Sequence, residues 1–254
     1  MKKLLFVILG GLILFCAKTN AQGKKLLVEI NSLKTKEVIG FKYDNKNKLV
    51  YFDEKSVATY REFTLKYDKN SGKLSECVNN NDKGEFVYTS KFSYNHPDYI
   101  EEEMKSTGKK INIKTTDNNK IFIDGKNRLT KSMFDDGKLW EELEYDANDN
   151  IVKYTLHSAL GDNDVITTNT YNNDKSIFSD IENMPSWFWA LHMNNMRWCT
   201  DFTGKNNPKE RTVIDPRFGT EVINITYDYD SDGYPVKQYY NNELVKEFKY
   251  IPVK

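Results

Sequence analysis

The sequence predicts a mainly β protein, an antiparallel meander of about 10–14 strands with one short, aromatic-rich helix. Three observations predict it. A phrase recurs along the chain in which an aromatic residue, an Asp or Asn, a polar turn and an aliphatic pair follow one another. Short Gly- and Asn-rich turns fall between its copies, and apolar and polar residues alternate beside those turns. Aromatic residues make up 13% of the chain, which suits strands better than a helical bundle.

The first segment, "MKKLLFVILGGLILFCAKTNAQ", has a basic start, an apolar stretch from Leu4 to Ala17 and small residues near Ala21. It reads as a secretory signal peptide over residues 1–21, with the mature chain from Gln22. Cys16 raises the alternative of a lipid anchor, which the bulky Phe15 before it disfavours. No stretch reaches the roughly 20 apolar residues of a spanning helix. These features place the mature chain, a single domain over 22–254, in the periplasm or at the outer surface of a Gram-negative cell.

Lys and Arg number 37, as do Asp and Glu, and losing Lys2, Lys3 and Lys18 leaves a slightly acidic mature chain. Such mixed charge carries no footprint for nucleic acid. Cys77 and Cys199 remain; a disulfide or two separately buried thiols both fit the sequence.

Copies of the phrase are "FKYDNKNKLVYF" at Phe41, "LKYDKNSGKLSECV" at Leu65, "IFIDGKNRLTKSMF" at Ile121, "LEYDANDNIVKYTL" at Leu143 and "ITYDYDSDGYPVKQYY" at Ile225. Weaker echoes are "FSYNHPDYI" at Phe92 and "NTYNNDKSIF" at Asn169. Second turns fall at Asn79–Gly84, Asp135–Gly137 and Asn241–Asn242, in residues that tolerate positive φ and so favour hairpins. In the last unit Leu244, Phe248 and Tyr250 share one register, Lys246 interrupts it, and Glu247 and Lys249 lie between. Period two with tight turns means an antiparallel meander.

Lys175 to Thr212 breaks the pattern and holds Trp187, Trp189 and Trp198. Pro185-Ser186 followed by "WFWALHM" predicts a helix of about ten residues within 180–200, capped by Ser186 or Asn183. Inserted between hairpins, it is suited to plug an open apolar end of the sheet.

The tandem hairpins resemble the tyrosine-aspartate repeats of secreted bacterial proteins. The run from "YNNDKSIF" through the aromatic helix and "GKNNPKERT" to "ITYDYDSDGYPVK" is similar to a family of secreted, porin-like proteins of unknown function from Gram-negative gut bacteria. The likeness covers Glu37 to Lys254 and is most specific from Tyr171 to Val236. It implies a continuous antiparallel sheet curled like a barrel, and it brings no catalytic residues with it. Lys42, Lys66, Glu144 and Lys153 on the second face argue against a lipid-facing pore.

Asp228, Asp230, Asp232 and Gly233 match the first half of a calcium loop, but Tyr239 stands where the bidentate Glu belongs. Aligning the copies by Asp44, Asp68, Asp146 and Asp228 puts Lys46 at the next alternate position of the first. A lysine cannot ligate a cation, so the shared Asp reads as a turn residue, with Gly72, Asn150 and Gly233 supplying the left-handed position. Weak calcium binding at the last copy remains the alternative. His96, His157 and His192 lack ligand spacing, and no nucleophile, P-loop or dinucleotide motif occurs. Trp187, Trp189 and Trp198, with Tyr239 and Tyr240, are candidates for stacking on sugar rings; core packing is the other reading. The sequence therefore points to an exported, non-enzymatic binding or surface-interaction module with glycan as the candidate ligand. The alternative is a glycan or cell-wall hydrolase using carboxylates, such as Asp135-Asp136, in the mouth of the curled sheet.

Overall fold

The computed structural model describes residues 23–110, 115–158, 163–181, 185–193 and 204–253. The signal peptide, Cys16, Asn183, Trp198 and Cys199 lie outside them, as does the side chain of His192.

The strands are β1 (Lys25–Ser32), β2 (Glu37–Tyr43), β3 (Leu49–Lys55), β4 (Tyr60–Tyr67), β5 (Leu74–Asn81), β6 (Phe86–Ser93), β7 (Tyr99–Thr107) and β8 (Thr116–Ile123), continuing as β9 (Leu129–Met133), β10 (Leu139–Tyr145), β11 (Ile151–Leu156) and β12 (Val165–Lys175). After the helix α1 (Ser186–Met193) come β13 (Asn206–Asp215), β14 (Gly219–Tyr229), β15 (Pro235–Tyr240) and β16 (Glu243–Pro252). Each pairs antiparallel with its sequence neighbours, and β1 pairs with β16, Lys25 opposite Pro252, so the sheet closes into a barrel. The strand number exceeds the expected range because the weaker echoes at Phe92 and Asn169 also end strands, β6 and β12.

The barrel has two ends. Even strands connect to the next odd strand through the recurring phrase at one end, and odd strands connect to even ones through hairpin loops at the other. At the first end a single device recurs. The turn Asp accepts two backbone N–H groups: Asp44 from Lys46 and Lys48, Asp124 from Lys126 and Arg128, Asp146 from Asn148 and Asn150. Left-handed residues complete these turns at Asn47, Gly72, Asn127, Asp149 and Gly233. Asp149, not Asn150, therefore fills that position in its copy, since it is the residue with positive φ.

Register then shifts by one residue as the tyrosine pairs with the first aliphatic after the turn, as at Tyr43 opposite Leu49 and Tyr67 opposite Leu74. Such a bulge leaves ladder groups unpaired. A tyrosine hydroxyl from the next even strand, or in one case from the residue just past it, donates to the carbonyl there: Tyr43 to Leu27 at 2.6 Å, Tyr67 to Leu49 at 2.7 Å, Tyr94 to Leu74 at 2.8 Å and Tyr145 to Leu129 at 2.7 Å. Tyr171 to Ile151 and Tyr250 to Pro235 continue the ring. Burial pushes the hydroxyls of Tyr43, Tyr67, Tyr94 and Tyr250 well up, so they remain donors. Cations from the turns cover several rings, Lys48 over Tyr67 at 3.7 Å and Arg128 over Tyr145 at 4.3 Å.

Inside this end lies one apolar cluster. Leu27, Leu49, Leu74, Leu129 and Ile151 contribute the aliphatics that follow the turns, and Phe41, Phe52, Phe63 and Phe92 the strand aromatics. The helix α1 completes it. Trp187, Phe188, Trp189, Ala190 and Leu191 are all buried, which suits a helix apolar on every side. Trp189 packs on Phe52 at 5.0 Å and on Phe178 at 5.4 Å, and Trp187 packs edge-on against Phe92 at 5.0 Å. Pro185 precedes the helix, where its missing N–H costs nothing. The Ser186 hydroxyl, expected as a cap, instead donates to the Asn127 carbonyl in the β8–β9 turn. Cys77 is a buried free thiol in the same cluster. An open barrel of this strand number encloses a water-filled channel; here side chains and α1 occupy that space.

The outer face is charged. Lys42, Lys66 and Glu144 are exposed, and neighbouring strands pair opposite charges, Lys66 with Glu76 at 2.5 Å and Lys153 with Glu144 at 2.9 Å. Among the described residues no helix is long and apolar enough to cross a membrane. Toward the tyrosine end the strand faces carry the opposite polarity to a lipid-facing barrel, apolar inward and charged outward.

Candidate functional site

Along several inward registers the residues change from apolar at the tyrosine end to polar at the hairpin end. In β2 the order from the hairpin is Glu37, Ile39, Phe41, Tyr43; in β4 it is Arg61, Phe63, Leu65, Tyr67; in β10 it is Glu141, Leu143, Tyr145. Lys246, Phe248 and Tyr250 repeat it in β16; β13 departs from it, with Asp215, Val213 and Arg211 buried in that order from the hairpin. The Lys246 that interrupts the apolar alternation in the sequence is one of these inward charges, 4% exposed.

These groups form a linked polar layer. Arg61 pairs with Glu54 at 2.8 Å. Burial raises Glu54 to about 7 against the pull of Arg61, with Glu37 adding to the rise. Burial also raises Glu37, opposed by Arg61 and Lys246, so Glu37 stands electrostatically between those two cations. Lys246 donates to the Tyr240 hydroxyl at 3.2 Å, and Arg211 Nε donates to Asn169 at 3.1 Å. Glu141 is fully buried and burial pushes it up to about 8, although Ser132 donates to it at 2.8 Å. It is therefore a neutral carboxylic acid near pH 7.

Two cavities border this layer. One, of about 280 Å³, is lined by Trp140, Tyr88, Asn79, Asn119, Glu102 and Arg61, with Ser90, Phe63, Cys77, Met104 and Leu191 as the rest of its wall. Asn119 donates to Glu102 at 3.0 Å, and Trp140 stacks on Phe134 at 4.9 Å. Asn79 Oδ1 is buried without a hydrogen-bond partner among the described residues. The other cavity, of about 340 Å³, lies under β13–β16 and the β1–β2 loop. Both sit at the low end of the range for small-molecule pockets.

The expected ligand residues separate. Trp189 is in the core with 0% exposure, where its faces meet Phe52 and Phe178. Trp187 is 2% exposed and forms part of the wall of a cleft of about 330 Å³ at the helix start, beside Lys73, Tyr94 and Lys126. Tyr240 lines the larger interior cavity. Tyr239 faces outward and donates to Asp228 at 2.7 Å.

The acidic turn separates as well. Asp230, not Asp228, is the turn Asp of the last copy, since it accepts the N–H groups of Asp232 and Tyr234, and Tyr229 pairs with Pro235 across the bulge. The copy is thus shifted by two residues from the sequence alignment. Asp228 belongs to the outer face, and the Lys25 ammonium sits against Asp230 at 2.7 Å and Asp232 at 2.5 Å, where a cation would bind. Hydrogen bonding to these two acids raises Lys25.

Trp140, Tyr88, Arg61, Glu102 and Arg211 escaped the sequence reading, although a signal for the charged ones existed. A charge in phase with the apolar set of a strand must point inward.

No protein-family model matches the chain, and no curated protein does. A porin-like protein from Bacteroides vulgatus aligns over 89% of this chain and 98% of its own, with 14% identity and a TM-score of 0.42. A porin-like protein from Bacteroides uniformis, again 14% identical, aligns over 90% of this chain and 96% of its own with a TM-score of 0.52, a likeness that extends to the fold alone.

Proposed function

We propose that the chain is an exported, non-enzymatic binding module of the cell envelope that takes a small saccharide-class ligand into the polar half of its barrel. The observation that carries this reading is the cavity walled by Trp140 and Tyr88 and furnished with Asn79, Asn119, Glu102 and Arg61. Aromatic walls offer flat apolar faces to the C–H side of a sugar ring. Amide and carboxylate groups around them suit its hydroxyls, and Arg61 adds a charged donor. Tyr240 lines the other cavity and takes no part in this one.

The test is a glycan-array and thermal-shift screen on the mature chain, followed by titration of any hit. Trp140→Ala is expected to weaken binding about tenfold or more. Absence of any saccharide response in the wild type, or an unchanged affinity in the variant, overturns the proposal.

One observation favours a second reading, a glycan or cell-wall hydrolase. Glu54, raised to about 7, has Glu37 as a like-charged neighbour inside the mouth, which is how a general acid is prepared. Release of reducing ends by the wild type, lost in Glu54→Gln while binding persists, would decide for that reading.

A further inference from the structure

The loops of the hairpin end differ in charge around the rim. Four of them follow one another around the closed sheet, β13–β14, β15–β16, β1–β2 and β3–β4, and between them they hold Arg217, Lys34 and Lys36 and no acid. The other four mix both signs, and every described acid of the hairpin loops falls there: Asp82, Glu85, Asp135, Asp136 and Asp164. Lys34 and Lys36 are exposed, and Arg217 reaches back to the buried Asp215 at 3.0 Å while 60% of its side chain stays in solvent. The exposed Glu221 and Glu243 stand on the strands behind these loops, so the positive charge of the arc is modest.

The same arc presents apolar side chains to water. Val57 is 88% exposed in the β3–β4 loop, Phe218 80% in β13–β14 and Leu33 39% in β1–β2, whereas no other hairpin loop exposes a large apolar side chain among the described residues. Ile214 and Val222, also exposed, continue the apolar surface from Phe218 down the outer face of its hairpin. Each tip has a cation on its own loop or the next: Lys34 follows Leu33, and the Arg217 guanidinium lies 5.4 Å from the Phe218 ring.

The spacing of the tips decides what such an arc can meet. Strands stand about 5 Å apart, which puts Leu33 about 10 Å from Val57 and about 20 Å from Phe218 along the rim, too far for the three to share one pocket. A fluid bilayer receives each tip separately at the boundary of headgroups and acyl chains, and its anionic headgroups meet the cations between them. A folded acidic partner would have to match three separated tips at once.

We propose that this arc of the hairpin end is a docking surface for an anionic lipid bilayer, which the barrel meets end-on. The test is co-sedimentation of the mature chain with sucrose-loaded vesicles, of phosphatidylcholine alone and of phosphatidylcholine mixed with phosphatidylglycerol. Binding to the mixed vesicles is expected to be about tenfold tighter than to the neutral ones and to weaken as salt is added. Phe218→Ser, and separately Lys34→Glu with Lys36→Glu, should each weaken it about tenfold; all three residues are exposed on loops, where folding is not at stake. Lys46→Glu with Lys69→Glu makes the same charge change in exposed turns of the tyrosine end and should leave binding within about twofold.

Three results would each overturn the proposal. Equal binding to both kinds of vesicle removes the anionic lipid, an equal loss in the tyrosine-end pair removes the arc, and unchanged affinity in Phe218→Ser removes the apolar tips. Absence of binding to either vesicle overturns it outright and leaves an acidic protein as the occupant of the arc.

Discussion

The two ends of this barrel are built by opposite means. At the tyrosine end one local solution is used repeatedly: an Asp-closed turn, a bulge, and a tyrosine hydroxyl on the carbonyl of the bulged strand. The turn Asp and the tyrosine hydroxyl of that device each have backbone partners, and the space beneath it is filled by aliphatics and by α1. At the hairpin end the loops differ from one another, and the interior holds Glu37, Glu54, Glu141, Arg61, Arg211 and Lys246. Ser32, Asn79 and Gln238 there have side-chain oxygens without hydrogen-bond partners among the described residues. Repetition serves stability, which needs the same answer at each strand pair. Variation marks the end where the chain accepts a cost in burial.

The comparison breaks most severely at Trp189, the residue that joins α1 to the core. Truncating it removes ring contacts with Phe41, Phe52 and Phe178 and opens a cavity in a closed space. Trp189→Ala is expected to cost about 3–5 kcal/mol, read by denaturant unfolding. Trp140→Ala at the polar end, where the ring borders a space already open, should cost less than half as much. Similar costs for the two would mean that the ends do not differ in packing.

Much of this architecture was legible because its signals are local. An Asp or Asn followed by a left-handed residue closes a turn wherever it stands, so the phrase marks the same end of the barrel each time. Each occurrence ends one strand and begins the next, and counting the echoes at Phe92 and Asn169 with the stronger copies leads to all sixteen strands once β1 and β16 are added at the ends. The alignment slipped in the last copy because "TYDYD" offers two tyrosine-aspartate pairs. Only the bulge at Tyr229 and the N–H groups reaching Asp230 tell them apart. The polar interior was harder to read because it is assembled across the barrel: Arg61 and Lys246 come from strands far apart in sequence and converge about Glu37. Trp140 carries no charge to mark its direction, and the register shift between Leu139 and Glu141 obscures the alternation around it.

Titration separates the ends next. Glu141 has its folded pKa raised from 4.5 to about 8 by burial. Below pH 4.5 both folded and unfolded forms bind the proton and the group has no effect. Between 4.5 and about 8 the unfolded chain releases a proton that the folded chain keeps, so stability falls as pH rises, and above that the penalty is constant. Within the window the wild type should lose up to about 1.4 kcal/mol per pH unit relative to Glu141→Gln. Melting temperatures of the two proteins across that range measure the difference directly. Parallel curves would show that Glu141 ionises as an ordinary carboxylate and that the hairpin end is wet enough to solvate it.

The smallest effect tests the tyrosine ring itself. Tyr145→Phe removes one hydroxyl and leaves the Leu129 carbonyl at its bulge without that donor, while the ring and the Arg128 guanidinium above it are retained. Losing a part-buried hydrogen bond of this kind should cost about 1 kcal/mol. Tyr240→Phe, at the polar end, removes a hydroxyl that accepts a hydrogen bond from Lys246 beside an open cavity, where solvent can replace it, and should be nearly neutral. Because each tyrosine serves a different strand pair, Tyr43→Phe and Tyr145→Phe together should be additive. A double variant costing markedly more than the two singles would mean that the ring acts cooperatively around the barrel, and that closure of the sheet, rather than each bulge separately, depends on it.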